Sequence, residues 1–357
     1  MKIAFVTDTH FGARNDAASF LEYFSNFFDN IFFPYLDEHK IDTVIHLGDI
    51  VDRRKFINFN TLNVLKSTFL EPIRERNIDF HCIIGNHDIP YRNTNKINAL
   101  KELYEGTNVP NIQYYWEPIE KTFGGCDMLF LPWINKENYE QSLAAVNETK
   151  AQVCLGHLEI QGFEMLRGVK NDHGLSRDIF NRFELVCSGH FHHKSHDGNI
   201  HYLGSPYEIF WSDYNALRGF HIFDTVTREL EFVRNPYRIF HKLVYNDEGK
   251  TVDQIVKDTQ YDQYKNTYIK VIVQEKTNPY AFDLMLDKLY KADCVHISIV
   301  DDHKHLDRQP DEEIINEAED TLTILTKFVN NLNFEGDNGK LNTLMRDLYN
   351  EASKIEV

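Results

Sequence analysis

The sequence is poor in basic residues. It carries 38 Lys and Arg against 55 Asp and Glu, a formal net charge of −17. That balance excludes a broad nonspecific nucleic-acid-binding face, because neutralising phosphates takes Lys and Arg; a local basic groove, or contact with phosphates through metal ions, stays open. No apolar run approaches the roughly 18 residues of a membrane span, so no membrane segment is expected. Cysteine is scarce too: Cys82, Cys126, Cys154, Cys187 and Cys294 include no C-x-x-C pair. Three of them sit in apolar runs where a small buried hydrophobe serves, and a reduced, cytoplasmic chain is the simplest reading. The first residues, MKIAFVTDTHFG, turn acidic at once without a small-residue cleavage site, which predicts a first strand rather than a signal peptide. Internal repeats and low-complexity tracts are absent.

What is present is an ordinary globular composition, 42% hydrophobic and 26% charged over 357 residues, enough for one large domain with one or two appendages. Short apolar runs at 2–7, 43–47, 79–84, 127–132, 151–155 and 183–187 suit buried strands. Between the early runs, Ala17 to Leu36 and Thr61 to Arg76 carry apolar residues at helical spacing. Strand and helix alternate, which predicts an α/β opening. From about residue 198 closely spaced strands follow, placed to close a second sheet against the first. Thr267 to Val273, Pro279 to Lys291 and Val295 to Val300 read as a separate small βαβ unit. Residues 301–320 are acid-rich and read as a solvated linker into a helix.

The segment Ser188-Gly-His-Phe-His-His193 crowds three histidines into four positions after an apolar run. A hydrated loop and a metal site both account for it locally. The other runs decide. They are followed by Asp8-Thr-His10, by Gly48-Asp49-Ile-Val-Asp52, by Gly85-Asn86-His87-Asp88 and by Gly156-His157, so five strand ends deliver metal-ligand side chains. In an open α/β sheet such ends converge on one edge. Glycine before four of the ligand groups permits sharp turns and close approach. Imidazole with carboxylate and no thiolate suits manganese, iron or zinc in a working site rather than a structural zinc. Asp49 could bridge two cations about 4 Å apart, a spacing used to activate water and clamp phosphate oxygens. His46 and His81, inside strands, are expected in the core or behind the ligands; His193 and His196 are expected to face solvent.

These motifs resemble the signature of the calcineurin-type metallophosphoesterases over residues 1 to about 230. Within that superfamily the words GDIVDRRKF, IIGNHD, LPWINKEN, LGHLEIQGF, HGLSRDIF, CSGHFHH, YLGSPYE and RGFHIFDT resemble the SbcD nuclease family, especially its T-even-like phage members. The resemblance implies a fold of class α/β, a two-sheet sandwich flanked by helices, with a small βαβ capping domain and a C-terminal helical tail. It implies a nuclease domain over 1–230, a DNA-capping domain over 231–300, an acidic linker and helix over 301–335 and a partner-binding helix over 336–357. It implies two Mn2+, with Mg2+ or another divalent metal as substitutes. Asp8, His10, Asp49 and His192 would hold one ion; Asp49, Asn86, His157 and His190 would hold the other.

By the same resemblance, water activated by the cation pair attacks a DNA phosphodiester. His87 would protonate the leaving 3′ oxygen or stabilise charge at the phosphate, and Asp88 would orient it. Several family members carry His where this chain has Asp52, so Asp52 is expected behind the ligands, holding a histidine or a loop. Arg53, Arg54 and Lys55 fit a DNA phosphate contact and fit a solvated basic turn equally well. The implied partners are DNA, an SbcC-like coiled-coil ATPase and a second copy of the chain, in the cytoplasm or, for a phage protein, the host cytoplasm. Leu341, Leu344, Met345 and Leu348 form the stripe expected to dock into the ATPase. Phe56, Phe59 and Leu62 are expected at the dimer contact. A phosphomonoesterase or cyclic-nucleotide phosphodiesterase on the same core is the enzymatic alternative, and a noncatalytic scaffold is the alternative of another kind.

Overall fold

The computed structural model describes residues 1–104, 112–166, 169–257, 260–301, 340–341 and 344–345. It divides into two units, Met1–Lys304 and His305–Val357. In the second, residues 340–341 and 344–345 are helical; Leu344 is exposed, Leu341 and Met345 are half-buried, and Leu348 lies outside the described residues. Among the described residues, no helix is long and apolar enough to cross a membrane.

The first unit holds strands β1 (Lys2–Val6), β2 (Thr43–His46), β3 (Asp79–Ile83), β4 (Ile112–Tyr115), β5 (Ile119–Phe123), β6 (Cys126–Leu131), β7 (Val153–His157), β8 (Glu164–Leu166), β9 (Val169–Lys170), β10 (Leu185–Gly189), β11 (Ser195–Asp197), β12 (Ile200–Tyr202), β13 (Gly219–Asp224), β14 (Leu230–Arg234), β15 (Phe240–Asn246), β16 (Tyr268–Glu275) and β17 (His296–Asp301). One six-stranded sheet runs β14-β13-β1-β2-β3-β4, a second runs β11-β12-β10-β7-β6-β5, and β15-β16-β17 form a small parallel sheet. The late strands therefore split. β11 and β12 finish the second sheet, whereas β13 and β14 return to the first, with β13 antiparallel to β1. The boundary anticipated at residue 230 falls at the start of β14, which pairs with β13; the first sheet continues to Arg234 and the small sheet starts at Phe240.

Period-2 alternation builds the sandwich. Ile3 and Phe5 join Ile45, Ile83, Met128, Phe130, Val153 and Leu155 in the core between the sheets. Ala4 and Val6 point the other way, into an aromatic core with Phe20, Phe24, Phe28 and Phe69. The two edge strands β4 and β5 were not anticipated; IEKTF of β5 is mostly exposed and lacks the apolar run that marks a buried strand.

The two long helical segments run from Ala18 to His39 and from Phe59 to Glu75, each interrupted by one π-helical turn, Phe28–Phe32 and Lys66–Leu70. Each π turn ends two residues before a proline, Pro34 and Pro72. Proline has no N–H to donate and its ring crowds the carbonyl four residues back, so a widened turn relieves both faults. The turns meet in the core, where the Phe28 and Phe69 rings lie 4.8 Å apart. The small sheet leans on the first helix: Phe20 packs on Phe240 and Tyr268, and Ser19 Oγ lies 3.1 Å from Tyr268 Oη.

Candidate metal centre

Parallel strands β1, β2, β3, β7 and β10 end on the same rim of the sandwich, and the side chains that follow them meet there. Among the described residues three groups of ligand atoms cluster: Asp8, His10 and His192; His10, Asp49 and His87; Asp49, His157 and His190. Asn86 joins the third, its Oδ1 3.0 Å from both His157 Nε2 and His190 Nδ1. All seven expected ligands are thus brought together, and apart from the half-buried His192 they are almost wholly buried.

The backbone is bent hard to achieve this. Asp8, His10, Asp49 and His190 have φ of 53°, 42°, 56° and 86°, in the left-handed region that costs a non-glycine residue about 1 kcal/mol or more. Two glycines make the approach possible. A Cβ on Gly85 would collide with Asp49 Oδ1, and one on Gly189 would collide with Thr7 Oγ1.

Supporting groups set the ring orientations. His157 Nδ1–H donates to Leu47 O at 2.8 Å, which leaves Nε2 as a lone pair. That lone pair faces Asn86 Oδ1 at 3.0 Å and Asp49 Oδ2 at 3.2 Å. On the other side, Asp52 Oδ1 lies 3.3 Å from His10 Nδ1, turning His10 Nε2 toward His192 Nε2 at 3.0 Å, Asp49 Oδ2 at 3.7 Å and Asp8 Oδ1 at 3.9 Å. Acceptors face acceptors in both nests, an arrangement that calls for a positive charge between them. A nitrogen–nitrogen separation of 3.0 Å is also the edge expected for two imidazoles bound at right angles with metal–nitrogen distances of about 2.1 Å. The residues fit a pair of divalent cations.

The carboxylates around the nests act on the rings they face. Burial alone lowers His10, yet the Asp52, Asp49 and Asp8 carboxylates push it up to about 10. Burial likewise opposes His157, which Asp49 and Asp8 carry up to about 9. Burial and the neighbouring cationic imidazoles hold His190 and His192 well below the usual range.

The sequence profile of the calcineurin-like phosphoesterases matches residues 1–194. The chain belongs to that family. It is similar to exonuclease subunit 1 of Enterobacteria phage T4, 31% identical over 323 residues that cover 90% of each chain. It is similar to the SbcCD nuclease subunit of Staphylococcus saprophyticus, 23% identical over 392 residues covering 99% of this chain and 100% of the relative. The DNA double-strand break repair protein Mre11 of Sulfolobus acidocaldarius is 25% identical over 224 residues, 58% of this chain and 54% of its own.

In this phosphoesterase a further set of contacts supports the centre. Asp88 holds the loops beside His87. Its two carboxylate oxygens accept the backbone N–H groups of Gly85, Asp49, Ile50 and Val51 at 2.8 to 3.3 Å, clamping the β2 and β3 loops together; burial and the nearby Asp49 push its carboxyl up to about 6. His87 is oriented by Asp52, whose main-chain oxygen takes Nδ1–H at 2.5 Å. Arg53 is spent on a left-handed turn at Arg14–Asp16, bonding Asn15 Oδ1 at 2.9 Å and Asp16 Oδ2 at 3.2 Å. Of the basic trio Arg54 acts on the centre, its charge helping to hold His190 down, while Lys55 is exposed. His193 is not solvent-facing: it is 13% exposed and 3.7 Å from Asp213 Oδ1.

Other residues support the ligands, among them His46, which was expected in the core or behind them. His46 Nδ1 accepts Gly48 N–H and its Nε2–H donates to Thr9 Oγ1, and Thr7 Oγ1 donates to Asp8 Oδ2 at 2.8 Å. Trp133 packs on the ligands, its ring 5.0 Å from His190 and 6.2 Å from His157. Asn95 and Asn138 hold it by donating to its carbonyl oxygen at 2.7 and 3.0 Å.

Proposed function

We propose that this phosphoesterase is a manganese-dependent DNA exonuclease and endonuclease, the nuclease half of an SbcC–SbcD-type complex that processes DNA ends. The observation that carries it is the position of Asp49, whose Oδ2 stands 3.7 Å from His10 Nε2 and 3.2 Å from His157 Nε2. One carboxylate serves both nests, as two-cation phosphodiester chemistry requires. DNA as substrate is supported by relatives named as exonuclease and SbcCD nuclease subunits that align over nine-tenths or more of the chain.

Asp8, His10, Asp49 and His192 hold one cation in this reading, and Asp49, Asn86, His157 and His190 the other. Bound cations supply Lewis acidity toward phosphate oxygens and ease the deprotonation of water. The chain supplies the rest. His87, with Nδ1–H committed to Asp52 O, carries its exchangeable proton at Nε2 and delivers it to the leaving 3′ oxygen. His87 N–H donates to Asp49 Oδ1 at 2.8 Å and fixes the shared carboxylate. Arg54 attracts the DNA phosphate, and Lys55 extends that contact.

The acidic chain borrows basic surface from its ATPase partner, docked through Leu341, Leu344, Met345 and Leu348. Phe56 and Phe59, 61% and 89% exposed, pair with a second copy beside the half-buried Leu62. The test is manganese-dependent cleavage of end-labelled duplex DNA, with and without the ATPase, set beside nitrophenyl phosphate and bis-nitrophenyl phosphate. Cleavage of the monoester alone would replace the nuclease reading.

A further inference from the structure

Beside the metal centre lies a groove of about 380 Å³ lined by Trp133, Tyr139, Leu143, Leu158, Glu159 and Ile179 among others. Its inner wall is shared with the ligands. Leu158 and Glu159 follow His157 directly in the chain, and Trp133 rests on His190 and His157. We propose that this groove binds one unstacked nucleobase next to the phosphate being cut, and so selects single-stranded or frayed DNA; the proposal rests on the nuclease reading.

Three observations choose this occupant. The lining is mostly aromatic and aliphatic, with Glu159 and Ser176 as its polar side chains and no Lys or Arg among the described residues that line it. The groove therefore suits the uncharged, flat part of a nucleotide, while the neighbouring centre suits its anionic part. Its volume lies in the range of small-ligand sites, roughly 300–1,000 Å³. Trp133 is also held rigidly. Its main-chain N–H donates to Ile84 O at 2.8 Å and its carbonyl oxygen accepts from Asn95 and Asn138, with Asn135 Nδ2 bracing Asn95 Oδ1 at 2.8 Å. With its main chain pinned and its ring packed on His190 and His157, the indole has little freedom to lose when a base stacks on it. A duplex keeps its bases stacked inward, so a base reaches the groove only from a strand that has opened.

The test uses the full chain with manganese and a single-stranded oligodeoxynucleotide in which one abasic residue is moved position by position. The expected result is that the abasic residue flanking the cut bond lowers kcat/KM about 10-fold, the scale of one base-on-aromatic stack. Tyr139→Ala, which opens the groove at an exposed side chain, and Leu143→Trp, which fills it, bring the intact-to-abasic ratio toward one. Affinity for the same oligonucleotides is read by fluorescence anisotropy in EDTA, where nothing is cut. Equal affinity and equal rates at every abasic position would overturn the groove, as would a ratio unchanged in both variants. Binding that still distinguishes the oligonucleotides without any cleavage would uphold the groove and sink the nuclease reading.

Discussion

His87 Nδ1 lies 2.5 Å from the main-chain oxygen of Asp52. A carbonyl accepts only, so the ring proton is pinned at Nδ1 and proton exchange falls to Nε2. Removing the imidazole leaves the backbone N–H that holds Asp49 intact. His87→Ala is expected to lower DNA hydrolysis about 10²- to 10⁴-fold while manganese content and thermal midpoint stay at wild-type values. Metal analysis, a melt and an end-labelled DNA assay check this, and undiminished hydrolysis would remove His87 from the reaction.

Asp88→Ala should behave in the opposite way. It leaves four buried N–H groups, on Gly85, Asp49, Ile50 and Val51, without their acceptor. Each such loss costs about 1–3 kcal/mol, so urea unfolding should show at least about 3 kcal/mol of destabilisation. A variant as stable as wild type would mean that the clamp is not needed.

Adding manganese should raise the melting temperature. The nests set lone pairs against lone pairs, and a ligand bound only by the folded state stabilises it by about 2.7 kcal/mol at a hundredfold excess over its Kd. For a unit of this size that is several degrees. Asp49→Asn, which weakens both nests at once, should remove most of the shift; a wild-type melt indifferent to manganese and EDTA would argue against cations in this site.

The small sheet offers a pH test away from the centre. Asp247 accepts from Thr277 N and Asn278 N at 2.7 Å, Tyr245 Oη at 2.9 Å and Thr277 Oγ1 at 3.0 Å. Burial raises its carboxyl, but these donors outweigh it and take it down to about 2 from an ordinary 3.8. A depressed carboxylate contributes stability in full above its unfolded value and loses it as pH falls through the folded one. Asp247→Asn should therefore be less stable than wild type by about 1–2 kcal/mol near neutral pH, with the gap closing between pH 4 and pH 2. A gap independent of pH would show that the charge contributes nothing.

Legibility from sequence followed the range over which each interaction acts. The convergence of the expected ligands was readable because each follows an apolar run within a few residues, and parallel strands align their ends. The small βαβ unit was readable for a similar reason: Pro279–Lys291 has helical spacing between two β-branched runs. The partners of Asp88 and His87 were not, because they are main-chain groups, most of them 35 to 39 residues away, and a main-chain group leaves no trace in residue identity. Arg53 and Arg54 are neighbours with the same side chain, and only the left-handed turn at Arg14–Asp16 separates their duties. Trp133 stood inside a recognisable word, yet its contact with His190 joins segments far apart in the chain.

The pairing of β1 bears on how the protein is made. Lys2 lies opposite Asp224 in the β1–β13 ladder, so the strand that carries Asp8 and His10 waits on a ribosome until β13 has emerged before its second neighbour exists. His190 and His192 arrive only shortly before that. Both nests are therefore complete only once more than half of the chain has been made.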